Sequence, residues 1–181
     1  MKGREILVGV SGGIAAYKTA AMVSQMVQMG MHVHVAMTPA AQQFVGTATF
    51  AALTGRPVAT HVFDDCQVPL GAHIMLAELC ELMCVAPDTA DYLAKTACGI
   101  ADDLLSTLYL SLTGPVIMAP AMNSEMWAKP SVQRNVRQLQ DDGAMIIEPD
   151  SGWLSCRKSG PGRMADPDRI YRHIREALAT E

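Results

Sequence analysis

Several short segments carry residues able to do chemistry. Ser11, Gly12 and Gly13 follow the apolar run EILVGV and precede the helical pattern IAAYKTAAMVSQMVQM. Small residues and backbone N–H groups therefore sit where a helix begins, a setting that receives an anion. Thr38 and Pro39 follow a second run, MHVHVAM, and Pro87, Asp88, Thr89, Ala90 and Asp91 follow a third, CELMCVA. Pro120, Ala121, Met122 and Asn123 close a fourth, VIMAPAM. Cys156 stands in WLSCRKSGPGR beside the cations Arg157 and Lys158, the kind of neighbourhood in which a thiol reacts. His73 follows Gly71 and Ala72 at the start of a predicted helix, where the plainer reading is a histidine bonded to backbone.

The elements that must position these residues alternate. Strands are predicted over 5–10, 31–37, 80–86, 116–122 and 144–149, mostly as continuous apolar runs. Helices are predicted over 14–29, stopped by Gly30, and from Thr38 as cap with Pro39 at the first helical position. Further helices run from Pro87 through about Cys98, over 102–112, over 131–141 and over 168–179. Residues 150–166, rich in Gly and Ser, read as a loop. The pattern predicts an α/β, doubly wound parallel sheet of Rossmann-like form as a single domain over residues 1–181. In such a sheet ligands bind beyond the carboxyl ends of the strands, where the segments above fall.

The chain has 181 residues, 50% hydrophobic and 18% charged, with a net charge of −4, which excludes disorder and argues against a nucleic-acid surface. No apolar run reaches membrane-spanning length and the start does not read as a signal peptide, so a cytoplasmic protein is expected. Apolar content this high with 13 Met and only 5% aromatics points to a homo-oligomer. The five Cys are an odd count without zinc-site spacing, so no disulfide framework and no metal are expected. Cys66, Cys80, Cys84 and Cys98 read as buried small hydrophobes. His32 and His34 alternate on a strand and read as surface or edge residues, as do His61 and His173. Met22, Met26 and Met29 read as core or interface, Asp102 and Asp103 as a solvated cap, and Lys18 as a solvated helix position in preference to a phosphate contact.

SGGIAAYK matches neither the dinucleotide fingerprint nor the Walker loop. The second strand ends in Met37-Thr38 rather than in the acid a dinucleotide ribose wants. A mononucleotide such as FMN is favoured over NAD. A helix cap with a tight turn remains the alternative on this local signal.

Together the segments resemble the homo-oligomeric flavin-containing cysteine decarboxylases. VSGGIAAYK (10–18), HIMLA (73–77), APDTAD (86–91), PAMNSEMW (120–127) and SCRKSGPGRMADP (155–167) stand in that family's order. They are most similar to the branch that converts 4'-phosphopantothenoylcysteine to 4'-phosphopantetheine in coenzyme A biosynthesis. Asp88 replaces a small residue of the family pattern, Asp91 an asparagine, and Arg157 a glycine. The resemblance covers the decarboxylase half of the bacterial bifunctional type, so a separate phosphopantothenate–cysteine ligase is an expected partner.

The resemblance implies a redox-neutral, FMN-dependent carboxy-lyase. Its substrate is oxidised to a thioaldehyde, loses CO2 as a stabilised enethiolate and is re-reduced. It implies catalytic roles for His73 in acid–base work, Asn123 on the substrate carboxylate and Cys156 as proton donor. Ser11, Gly12, Gly13, Ile14 and Thr38 are expected to hold the FMN phosphate end, and Pro87, Thr89, Ala90 and Ala121 its ring. Ser106 is expected to reach flavin across a subunit interface. Met122, Met126, Arg157, Lys158 and Arg163 join Asn123 as expected substrate contacts, within a flap over about 150–167. A trimer-based assembly, up to a dodecamer, is implied. The rival readings are a peptidyl-cysteine decarboxylase of lantibiotic biosynthesis, a flavin prenyltransferase and a flavin-binding regulatory subunit.

Overall fold

A computed structural model describes residues 2–63 and 71–179. Its parallel strands are β1 (Glu5–Val10), β2 (His32–Met37), β3 (Val58–Ala59), β4 (Leu82–Asp88), β5 (Val116–Pro120) and β6 (Met145–Ile146). They form one sheet in the order β3-β2-β1-β4-β5-β6. The order reverses between β1 and β4, which opens a crevice at their carboxyl ends. The expected doubly wound α/β fold is present.

Strand alternation assigns the two faces. Ile6, Val8 and Val10 point to one side with Cys84 and Ala86, and Leu7, Met83 and Val85 to the other. The first side is covered by α1 (Ala16–Gln28) through Met22, Val23 and Met26, and by α8 (Pro167–Ala179) through Ile170, Ile174 and Leu178. The second is covered by α4 (Ala90–Ala97), α5 (Leu104–Ser111) and α7 (Pro130–Asp141), through Tyr92, Leu93, Leu105, Leu108, Val136 and Leu139. Each fully buried aliphatic side chain here is worth roughly 1.5–3 kcal/mol. On the first side α2 (Thr47–Thr54) adds Phe50, on the second α3 (Ala72–Leu79) adds Ala72 and Leu76, and the single-turn α6 (Ser124–Trp127) follows β5.

Three expectations are corrected. No helix starts at Pro39: Thr38 Oγ1 accepts from the Ala41 N–H at 3.2 Å ahead of a 3₁₀ turn over Ala41–Gln43 whose N-cap is Ala40, and α2 begins only at Thr47. Residues 150–166 are not a loop throughout, because β7 (Asp150–Trp153) and β8 (Ser159–Arg163) pair as an antiparallel hairpin. Cys98 is exposed while Cys80 and Cys84 are buried; Cys66 lies outside the described residues. Met22 and Met26 lie in the core, as one half of that reading expects, and Met29 is exposed.

His34 is not a surface residue either. It is buried at the amino ends of the strands with Nε2 2.7 Å from Glu5, whose other oxygen lies 2.7 Å from His32 Nδ1. Burial pulls the His34 imidazole below its ordinary range, against the opposing pull of Glu5.

Asp88 ends β4 fully buried, and neither carboxylate oxygen has a hydrogen-bond partner among the described residues. Burial pushes its carboxyl well above the usual range. Its neutral form is therefore part of the fold. That stability is complete below the unfolded-chain value of about 3.9 and is lost as pH rises toward the folded one. Asp88→Asn removes the titration while keeping the shape. Between pH 5 and 8 the wild type is expected to lose stability relative to the variant, measured as urea midpoints.

Candidate functional site

Two adjoining cavities open at the carboxyl ends of the strands. The first, about 560 Å³, is lined by Ser11, Gly12, Gly13, Thr38, Thr89, Ala90, Lys95, Ala121, Met122 and Met126, among others. Ser11 ties its two sides together. The Ser11 hydroxyl donates to the Pro87 carbonyl at 2.8 Å and accepts from the Thr89 N–H at 2.9 Å, so the ends of β1 and β4 are held in fixed relation. Thr89 then caps α4, its side chain accepting from the Tyr92 N–H.

Gly12 makes the turn possible. A Cβ there would overlap Ala40 Cβ and crowd its backbone. Among the described residues the N–H groups of Gly12, Ile14 and Ala15 have no acceptor, so the turn before α1 presents unpaired donors at a helix N-terminus. Lys95 adds a cation to the same wall. Its ammonium lies 2.9 Å from Asp102 and 3.1 Å from Asp103, and the hydrogen bond to Asp102 leads in raising it above the usual lysine range. Asp102 and Asp103 are thus partners of Lys95, with Asp103 also capping α5. No metal-ligating cluster exists among the described residues.

The second cavity, about 420 Å³, shares Gly13, Ala121 and Met122 with the first and adds Ile14, Tyr17, Lys18, Asn123, Trp153 and Arg163. Asn123 is the N-cap of α6: its Oδ1 accepts from the Met126 N–H at 2.8 Å. The cap fixes which end of the amide is oxygen. Its NH2 has no acceptor among the described residues and remains available on the cavity wall. The hairpin closes this side. Met122 N–H donates to the Gly162 carbonyl at 2.9 Å, and a Cβ on Gly160 or Gly162 would strike Ser124 Oγ or the Met122 carbonyl oxygen, respectively.

Most of the expected residues gather here. Ser11, Gly12, Thr38, Thr89, Ala90 and Met126 line the first cavity, Ile14, Asn123 and Arg163 the second, and Gly13, Ala121 and Met122 both. Pro87 stands close behind, in contact range of a Cβ on Gly13, after a cis Ala86–Pro87 peptide. Ser106 is not brought to the site. It is fully buried, its hydroxyl spent in a capping box with Asp103, so it offers no surface to a second subunit.

Cys156, Arg157 and Lys158 are exposed at the tip of the hairpin and line neither cavity. Arg157 adopts φ 62°, the conformation in which glycine is at ease, so its side chain is held there at some strain. His73 is the second residue of α3, with a buried Nδ1 that has no partner among the described residues, and it too lies off both cavities. Lys18, expected to be solvated, instead lines the second cavity. Lys95 gives no signal in the sequence because its role depends on Asp102 and Asp103, seven and eight residues on, being folded back by the turn between α4 and α5.

A Rossmann-like sheet with a donor-rich turn and a two-part cavity at its switch point defines a mononucleotide-binding α/β protein. The chain belongs to the flavoprotein family, whose model matches residues 1–179. It is 42% identical over all 181 residues to the coenzyme A biosynthesis bifunctional protein CoaBC of Bacillus subtilis, of which it spans 45%. It is 46% identical over 92% of its length to that of Mycobacterium tuberculosis, of which it spans 40%. The chain thus spans less than half the length of these relatives. Among solved structures it is similar to the FMN-dependent cysteine decarboxylase SpaF, at 33% identity and TM-score 0.84 over 97% of both chains. It is also similar to a PPC decarboxylase mutant complexed with pantothenoylaminoethenethiol, at 26% identity and TM-score 0.87 over 98% of this chain and 100% of that one.

Proposed function

We propose that this chain is an FMN-dependent carboxy-lyase that decarboxylates 4'-phosphopantothenoylcysteine to 4'-phosphopantetheine in coenzyme A biosynthesis. The observation that carries the reading is Asn123: a capped amide with its NH2 free on the cavity wall, beside a nucleotide-type cradle. The likeness to the CoaBC proteins supports the pathway and substrate.

FMN fits the first cavity. The unpaired Gly12 N–H and the Thr38 hydroxyl suit its phosphate and ribityl end, with the N–H groups of Ile14 and Ala15 on the adjoining wall of the second cavity, and Thr89, Ala90 and Ala121 offer a small-residue wall for its ring. Bound flavin supplies reversible two-electron oxidation of the substrate. Gly12→Ala is expected to weaken FMN binding about tenfold or more by displacing the turn, read by flavin fluorescence titration.

The protein's part is positioning and proton handling. Asn123 donates to the substrate carboxylate without the charge pairing that would oppose CO2 loss. Met122 and Ala121 pack the reacting end between the two cavities. His73 and Cys156 lie off the cavities of their own chain, so each reaches substrate by assembly or motion. A homo-oligomer, trimer-based, brings His73 of a neighbouring copy to the site. The α3–α5 side carries exposed Met75, Leu79 and Leu110, apolar surface such an assembly covers. Closure of the β7–β8 hairpin brings in Cys156 as proton donor to the product. The partner for the preceding step is a phosphopantothenate–cysteine ligase, and the unpaired thiols Cys80, Cys84, Cys98 and Cys156 suit a cytoplasmic setting. No helix of the described residues is long and apolar enough to cross a membrane.

Competition tests the substrate. The holoprotein is given 4'-phosphopantothenoylcysteine together with a peptide ending in cysteine, and each product is weighed. Decarboxylation of the small substrate in preference is expected; preference for the peptide overturns the assignment.

A further inference from the structure

Asp88 is a buried acid for which the chemistry above has no use. Among the described residues it is the carboxylate whose two oxygens are both buried and both without a hydrogen bond. The backbone puts it there. The pairing of β4 with β5 shifts register between Val85 and Asp88. Pro87 turns toward Gly13, ahead of α1, and the Asp88 side chain acts on the other face of the sheet, where Tyr92 of α4 and Tyr109 of α5 pack. Burial first and Asp88 second push the Tyr92 phenol up; burial, Asp142 and then Asp88 do the same at Tyr109.

The position is directly behind the first cavity. The Asp88 carbonyl accepts from the Ala121 N–H at 2.8 Å, and the next residue, Thr89, donates its N–H to Ser11 Oγ at 2.9 Å. Ser11, Thr89, Tyr92 and Ala121 all line that cavity. No facing group supplies a counter-charge. Tyr92 gives its hydroxyl to the Leu105 carbonyl at 2.9 Å. Lys95, the cation on the cavity wall, is held by Asp102 and Asp103. The other charges that act on the two tyrosines, Asp103 and Asp142, are carboxylates as well. β5 carries no ionisable side chain, and α7 buries Val132, Val136 and Leu139. A charge on Asp88 is therefore felt at the cavity with little screening. Negative charge arriving in the cavity in turn favours the protonated acid, by the same amount.

On the FMN-binding reading given above, we infer that Asp88 is a redox-linked proton site, taking up a proton from solvent as the flavin in the first cavity takes up electrons and releasing it when they leave. The electrons reside on the flavin and the proton on the Asp88 carboxylate, so no bond of the substrate forms or breaks in this step. Asp88 lines neither cavity, so it tunes the flavin through the field across Thr89 and Ala121 rather than by contact. Uncharged, it leaves reduction easy; ionised, it opposes reduction. A cycle that oxidises its substrate and then returns the same electrons depends on that balance.

The test follows the flavin reduction potential of the FMN-loaded wild type, Asp88→Asn and Asp88→Ala between about pH 5 and 9, by reductive titration against an indicator dye. At the acid end the three potentials are expected to lie close together. As pH rises, the wild type is expected to fall more steeply than both variants. Its affinity for reduced relative to oxidised FMN then ends about tenfold below theirs. Where the curves diverge, the reduced-minus-oxidised infrared spectrum of the wild type gains a protonated carboxyl band that both variants lack. Parallel curves for all three proteins overturn the assignment, as does a carboxyl band that survives in the variants. A merely structural Asp88 moves the urea midpoints and leaves the curves parallel. No substrate enters the measurement, so a protein that holds FMN but leaves 4'-phosphopantothenoylcysteine intact fails the proposed function and still decides Asp88. A wild type that binds no FMN overturns both.

Discussion

Asn123→Asp is expected to fold like the wild type and to lose turnover by about a hundredfold to a thousandfold or more. The two halves of that expectation come from the two ends of one side chain. Oδ1 caps α6 by accepting from the Met126 N–H, and an aspartate oxygen does so equally well. The urea midpoint should therefore stay within the error of measurement. The NH2 end is replaced by a second anionic oxygen, which removes a donor and sets a like charge against the substrate carboxylate. Loss of one such donor alone costs about a hundredfold to a thousandfold. Asn123→Ala separates the contributions, because it also forfeits the cap, at about 1 kcal/mol of stability. An Asp variant with normal kcat/KM removes Asn123 from the chemistry.

Gly162→Ala is expected to damage stability and turnover together while leaving the flavin in place. Gly162 has φ +120°, and a Cβ there would meet the Met122 carbonyl oxygen, which belongs to the segment carrying Asn123. Backbone strain of about 1–2 kcal/mol and overpacking of about 1–3 kcal/mol add in the same direction. The hairpin must then withdraw from residues 122–124, and the second cavity loses its shape. A lower urea midpoint and a more than roughly tenfold lower kcat/KM are expected with the flavin absorbance retained, because Gly162 is no part of the first cavity. Unchanged stability and turnover would show that the hairpin does not set the position of Asn123.

Both cases turn on contacts between distant segments, and that is where sequence patterns stop being informative. The central strands are legible because they are buried on both faces, so EILVGV and the run ending in Asp88 stand out as unbroken apolar stretches. The small-residue segments after them are legible because strand ends in such a fold are where ligands bind. The hairpin is not legible. Its strands DSGW and SGPGR have low strand propensity, and what they need is the absence of side chains against Met122 and Ser124. Lys18 escapes for a related reason. Periodicity places it on α1 but cannot show that the hairpin folds back to put Arg163 opposite. His34 reads as an edge residue because β3, which covers β2, is only two residues long and carries little signal of its own. The absence of His73 from the cavities of its own chain is invisible in the sequence, since motif order says nothing about the distance between folded segments.

The central claim is that this chain, carrying FMN, removes CO2 from 4'-phosphopantothenoylcysteine. The most direct measurement is the product mass after anaerobic incubation of the FMN-loaded protein with that compound and no added oxidant. A product lighter by one CO2, with the redox state of 4'-phosphopantetheine, is the predicted result. Recovery of the substrate unchanged by a protein that binds both FMN and substrate would contradict it.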